Sequence, residues 1–186
     1  MNIDELKKRL KEYNEPLSLG INTSLSAYID TIKLLMDEFT SGKNIHLIYI
    51  SATIPSRSIS SILEIYGIDE KKVFYVDCIS HLMMNVAESR ENTVYVESPT
   101  MLENIMLKTQ YILNKNVKDV AVVVVDSINS LAIHNDMKIL SEFLHLFVTF
   151  LRSRNSYMVI LSIKEQATQE IMSIINFVSD ETLEVD

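Results

Sequence analysis

The sequence predicts an α/β protein, a three-layer α/β/α sandwich built around a mostly parallel sheet. Two observations predict this fold class. Short apolar stretches typical of strands alternate along the 186 residues with amphipathic patterns typical of helices. In addition, the stretch "VAVVVVD" at 120–126 is a nearly unbroken run of β-branched residues. Such a run is typical of a strand covered on both faces, so we expect it to lie centrally in the sheet.

Two helices, at about 3–13 and 24–40, are predicted before the first strand, and the stretch 14–22 is expected only to join them. We therefore interpret residues 1–44 as an N-terminal helical segment packed on the core. Residues 45–186 are predicted to form the α/β domain, so that the chain is a single domain overall.

The α/β domain contains alternating strand and helix patterns. The predicted strands are 45–50, 73–77, 93–98, 120–126 and 157–163. A sixth strand, "TLEV" near the C-terminus, is predicted at an edge of the sheet. The predicted helices are 58–66, 99–113, 136–154 and 164–178. Pro99 is placed where a first helical turn accepts proline.

Composition excludes several classes of protein. With 47% hydrophobic and 23% charged residues, the chain is typical of an ordinary globular protein with a sizeable core. The net charge of −8 disfavours nucleic acid as a partner, because non-specific binding needs Lys and Arg to displace counterions from phosphates. The four histidines show no metal-ligand spacing and no cysteine cluster accompanies them, so no metal is expected.

The cellular location is predicted from the single cysteine and the N-terminus. Cys78 alone cannot form an intramolecular disulfide, which fits a reducing cytoplasm. The N-terminus is charged where a signal peptide would be apolar, and no apolar run approaches the ~18 residues of a membrane span. We expect a cytoplasmic protein without a membrane span.

The loop after the first predicted strand, "SATIPSRS" at 51–58, lies where a nucleotide-binding α/β protein holds phosphate. Phosphate loops use glycines, a lysine and a hydroxyl. Here Pro55 removes one N–H donor, and β-branched Thr53 and Ile54 resist positive φ. Because a helix N-terminus attracts anions, the following residues remain a candidate anion site. That site would consist of Ser56, Arg57 and Ser58. The alternative is a strand-to-helix turn with a serine N-cap.

The stretch "VVVVDSINSL" at 122–131 is a second candidate. An apolar strand that ends in an aspartate has the form of a Walker B segment, in which the carboxylate of Asp126 would orient a magnesium-bound water. The alternative is that Asp126 and Ser127 merely cap the loop after a central strand. The sequence leaves both interpretations open.

Four segments together carry a family resemblance: "VFYVDCIS" (73–80), "VESPTMLENI" (96–105), "VVVVDSINSLAIHND" (122–136) and "LSEFLHLFVTFLRSRNSYMVILSI" (140–163). With these segments the chain resembles the RecA superfamily, in particular archaeal proteins of the KaiC-like branch with a degenerate Walker A motif. The resemblance implies a RecA-like, P-loop NTPase-type sheet in which the first strand feeds the phosphate loop. It also implies that Asp126 matches the Walker B aspartate.

Two departures from this family change the expected function. The glycines, lysine and threonine of the Walker A motif are missing from 51–59, and no glutamate stands near Cys78 and Ile79, where catalytic members carry one. Asp77 is the only acidic candidate nearby. We therefore expect a pseudo-ATPase without a cofactor, which acts through protein–protein interaction in archaeal signal transduction or in regulation of an active ATPase.

The alternative is an ATP-binding protein or ATPase with an atypical phosphate loop. In it, Arg57 would stand in for the lysine, Ser58 would ligate magnesium and Asp126 would complete the metal site. ATP and magnesium would then be its cofactors.

The predicted helix around "ILSEFLHLFVTFL" at 139–151 is apolar on more than one face. Leu146 and Phe150 fall at the margin of its core-facing stripe or beyond it. Either the N-terminal helices cover these residues, or they form an interface with a partner protein or with a second copy of the chain.

Overall fold

The computed structural model describes residues 1–84 and 89–186, and within them the chain forms seven strands and eight α-helices. The strands are β1 (Ser18–Thr23), β2 (His46–Ser51), β3 (Val73–Asp77), β4 (Thr93–Tyr95), β5 (Ala121–Asp126), β6 (Tyr157–Ile163) and β7 (Glu181–Val185). The helices are α1 (Ile3–Glu12), α2 (Tyr28–Asp37), α3 (Ser56–Ile65), α4 (Ser80–Met84), α5 (Leu102–Asn116), α6 (Ile128–His134), α7 (Met137–Ser153) and α8 (Gln169–Val178). A π-helical turn, Glu38–Gly42, continues α2, and a 3₁₀ turn, Lys164–Gln166, follows β6.

The strands form one sheet in the order β4-β3-β2-β5-β6-β1-β7, and every pair is parallel. β5 is the fourth of the seven, so the central position predicted from its β-branched run is confirmed. β7 lies at an edge, as predicted for "TLEV". The register places Ser51, at the end of β2, opposite Asp77 on one side and Asp126 on the other.

Helices cover both faces of the sheet, which confirms the three-layer sandwich. Two buried apolar clusters lie on opposite faces of the sheet. Alternate residues of β2 point to opposite faces, so Leu47 and Tyr49 belong to one cluster and Ile48 and Ile50 to the other. The first cluster includes residues of α1, α2 and α3, and the second includes residues of α5, α6, α7 and α8. The N-terminal helices therefore lie on the face opposite α7, and the expectation that they cover it is wrong.

The stretch 14–22 is more than a connection, because it contains most of β1, which lies between β6 and β7. All six residues of β1 are buried. Its glycine, Gly20, lets α8 approach closely: a Cβ built there would stand 2.2 Å from Cγ2 of Ile175. Part of the segment 1–44 thus belongs to the sheet, while a boundary at residue 44 stays a prediction.

Several element ends differ from the prediction. β4 ends at Tyr95 instead of residue 98, and α5 begins at Leu102, after Pro99. The predicted helix at 164–178 is divided into a 3₁₀ turn and α8. The short helices α4 and α6 were not predicted, since each has too few residues to show a helical period.

Candidate functional site

Asp126 ends the central strand β5 and is completely buried. Its two carboxylate oxygens accept hydrogen bonds from the hydroxyls of Tyr28, at the start of α2, and Tyr49, in β2. Burial raises the pKa of Asp126 to about 6, although the two tyrosine hydroxyls act to lower it. The carboxylate that resembles a Walker B aspartate is thus held by two protein groups.

Both tyrosines are buried with their aspartate. Burial, together with the nearby charge of Asp126, raises the pKa of Tyr28 and of Tyr49 well above the usual range of a phenol. Each hydroxyl therefore keeps its proton near neutral pH and remains a hydrogen-bond donor to Asp126. The three side chains tie α2, β2 and β5 together at the carboxyl end of the sheet.

Asp77 ends β3 and is also completely buried. Its carboxylate accepts the backbone N–H of Ser56 at 2.8 Å, those of Ile79 and Ser80 at 3.0 and 2.8 Å, and the hydroxyl of Ser80 at 2.7 Å. Burial acts to raise the pKa of Asp77, but the hydrogen bonds from Ser56 and Ser80 outweigh it and hold the pKa below its usual value. The side chain of Asp77 is therefore an ionised carboxylate that binds Ser56, the first residue of α3.

The loop between β2 and α3 is fastened to the segment that follows β5. The backbone N–H of Ala52 donates to the carbonyl of Asp126 at 2.7 Å. The hydroxyl of Thr53 lies 3.1 Å from that of Ser127 and 2.8 Å from that of Ser130. Side chains of the protein thus bridge the loop and the start of α6.

The residues of the candidate anion site divide into two groups. Ser56 is buried, whereas Arg57 and Ser58 are exposed. The N-cap of α3 is Pro55, which has no side-chain hydrogen bond, so the serine N-cap expected here is wrong. Proline lacks a polar side chain, and the carboxylate of Asp77 binds the helix N-terminus instead.

Ser127 is buried and is the N-cap of α6, where its side chain accepts from the N–H of Ser130. The capping interpretation therefore holds for Ser127. It does not describe the Asp126 side chain, which binds Tyr28 and Tyr49.

Sequence reasoning missed the two tyrosines and the capping role of Asp77. One signal was present for Tyr49, since a tyrosine inside an apolar strand needs a partner for its hydroxyl. No comparable local signal identified Tyr28, which stands 98 residues from Asp126.

Other predicted features lie outside this site. Leu146 is 62% exposed on α7, and Phe150 is partly buried against the core. In the part of the chain that the structure describes, no group of three or more His, Cys, Asp or Glu side chains could hold a metal ion. Over the same residues, no helix is both long and apolar enough to cross a membrane.

Comparison with solved structures gives similar folds at low sequence identity. A KaiC-like protein of Pyrococcus horikoshii has a TM-score of 0.62 at 12% identity, over 91% of this chain and 72% of its own. The flagellar accessory protein FlaH of Methanocaldococcus jannaschii has a TM-score of 0.64 at 14% identity, over 99% and 77%. An uncharacterised P. horikoshii protein, solved in complex with an unknown peptide, has a TM-score of 0.70 at 11% identity, over 99% and 84%.

These neighbours confirm the RecA/KaiC-like fold expected from the resemblance. No curated protein sequence matches the chain. A family profile matches residues 23–186, and on that match the chain belongs to the family of unknown function DUF7090.

Proposed function

We propose that this protein is a catalytically inactive RecA/KaiC-like domain that acts by binding other proteins. The observation that carries the proposal is the position of Asp77. Its carboxylate accepts the N–H of Ser56 at the N-terminus of α3, the place where a phosphate would bind in an active relative. The backbone N–H of Ser56 that a phosphate would need as a donor is already bound to the carboxylate of Asp77.

Electrostatics makes replacement of Asp77 by a nucleotide costly. A phosphate at the N-terminus of α3 would lie beside a buried carboxylate whose low pKa keeps it ionised. Two negative charges in close contact away from water repel each other strongly. Arg57, the one cation of the loop 51–58, has an exposed side chain, whereas Asp77 is buried.

Asp126 offers no compensating metal site. A magnesium ion would have to compete with the hydroxyls of Tyr28 and Tyr49 for both carboxylate oxygens. Magnesium also requires a near-octahedral set of oxygen ligands, several of them water, and Asp126 is completely buried. These arguments favour an inactive site over an ATPase that uses Arg57, Ser58 and Asp126.

The positive part of the proposal is protein binding. The neighbour solved with an unknown peptide shares this fold, which supports a peptide-binding role for such a domain. Leu146, exposed on α7, offers an apolar contact for a partner or for a second copy of the chain. We propose that the protein acts in archaeal signal transduction or in the regulation of an active ATPase; the archaeal source of the KaiC-like and FlaH neighbours supports the archaeal part of this proposal.

Isothermal titration calorimetry with ATP, ADP and GTP in the presence of magnesium tests the inactive site. We expect no binding heat for the wild type or for Arg57→Ala, with circular dichroism as the control for folding. Micromolar binding together with turnover that Asp126→Ala abolishes would overturn the proposal and favour the atypical ATPase.

A further inference from the structure

A groove lies at one edge of the sheet, between the edge strand β4 and helix α5. It has a volume of about 580 Å³ and is lined by Val94 of β4 and by Asn104, Leu107, Lys108 and Tyr111 of α5. The four helical residues stand at positions i, i+3, i+4 and i+7, so they share one face of α5.

This face is a second apolar face of α5. Ile105 and Ile112 are buried and form the core-facing side of the helix. Leu107 and Tyr111 lie on a different, solvent-exposed side, and their exposed fractions are 59% and 51%. Apolar side chains grouped on an exposed face beside a groove are typical of a binding surface.

The charge of the groove differs from that of the whole protein. Lys108 is the one charged residue among the described residues that line it. A second cation, Lys115, donates to the hydroxyl of Tyr111 at 3.1 Å and lies 5.3 Å from the centre of its ring. The groove is thus cationic on a chain of net charge −8, and it favours a partner that brings a carboxylate.

We propose that this groove binds a short segment of a partner protein in which an apolar side chain lies next to an acidic residue. The apolar side chain packs against Val94, Leu107 and Tyr111, and the acidic residue pairs with Lys108. This inference rests on the proposed function, because it names the chemistry of the partner that a protein-binding domain would take.

An array of immobilised synthetic peptides tests the groove. Each peptide carries a central Phe, Leu or Ala with flanking residues that are all Glu, all Ser or all Lys. The purified full-length protein should bind best where Phe or Leu is flanked by Glu. Leu107→Glu should weaken that binding about tenfold or more, since it places a charge in the apolar contact.

Two further variants make the result specific. Lys108→Glu should move the preference from Glu-flanked to Lys-flanked peptides, an effect that simple loss of structure cannot produce. Leu25→Glu, at an equally exposed leucine that follows β1 near the opposite edge of the sheet, should bind the array as the wild type does.

Three results would overturn the groove proposal: no preference for apolar residues flanked by Glu, an unchanged flank preference in Lys108→Glu, or equal weakening by Leu25→Glu. Self-association seen by light scattering and abolished by Leu107→Glu would also overturn it, in favour of a second copy. Peptide binding that survives Leu107→Glu contradicts the groove and leaves a protein-binding function standing. Nucleotide turnover in the calorimetric test contradicts that function separately.

Discussion

The carboxylate of Asp77 lies 2.8 Å from the backbone nitrogen of Ser56, so the end of β3 caps the start of α3. The two residues are 21 positions apart, and the parallel pairing of β2 with β3 brings them together. An anion at a helix N-terminus stabilises the helix through its free N–H groups and its dipole. The protein supplies this anion from its own chain.

Asp77→Ala should lower the free energy of unfolding by about 2–4 kcal/mol, because it leaves several buried N–H groups without an acceptor. Denaturation in urea measures the change. Asp119→Ala, at an exposed aspartate, is the matched control and should stay within about 0.5 kcal/mol of the wild type. An equal effect of both substitutions would contradict the capping role.

The pH dependence of Asp77 has a definite sign. Its pKa is lowered in the folded protein, so its contribution to stability is present above the unfolded pKa and is lost as the pH falls through the folded value. We expect the difference in unfolding free energy between wild type and Asp77→Ala to shrink below about pH 4, near the pKa of an unfolded aspartate. A difference that stays constant on acidification would refute this.

The pH dependence of the contribution of Asp126 to stability has the opposite sign. Its pKa is raised from 3.8 to about 6, so its stabilising contribution is fully present below the unfolded pKa and is lost as the pH rises through the folded one. Relative to Asp126→Asn, which cannot ionise, the wild type should lose roughly 3 kcal/mol of unfolding free energy between about pH 4 and pH 7. Parallel pH profiles for the two proteins would show that Asp126 does not titrate in this range.

Tyr49→Phe tests the contact on which that pKa depends. Removal of the hydroxyl leaves one oxygen of a buried carboxylate without its donor, which should cost about 1–3 kcal/mol in thermal or urea unfolding. The pKa of Asp126 should rise further, and the pH window of the wild type should move upward. Tyr66→Phe, on an exposed ring, is the control and should change neither quantity. An unmoved pH window in Tyr49→Phe would speak against the contact.

The sequence indicated the part of the site that depends on local pattern. An apolar strand ending in aspartate located Asp126, and the missing glycines identified the altered loop. The partners of Asp126 and Asp77 depend on which strands are neighbours. That order follows from packing of the whole domain and has no local signal, which is why Tyr28, Tyr49 and the cap on α3 were not predicted.

The strand β1 was not predicted, for a related reason. "SLGINT" has only two large apolar residues, Leu19 and Ile21, and its glycine lowers strand propensity. The glycine is nevertheless required, because α8 packs directly over it. Packing overrides the local preference, and the sequence pattern alone does not show the helix that lies above.

Gly20→Ala should therefore destabilise the protein by about 1–3 kcal/mol, the usual cost of overpacking a filled core. The new Cβ would stand 2.2 Å from Cγ2 of Ile175, a methyl group on the branched Cβ that cannot swing away as the end of a long side chain can. Ile175→Ala should itself cost about 2–5 kcal/mol, because it leaves a cavity. In the double variant the alanine at position 20 occupies part of that cavity, so the loss should be smaller than the sum of the two single losses. Urea denaturation of all four proteins gives this coupling energy, and strictly additive losses would mean that Gly20 is not needed for the approach of α8.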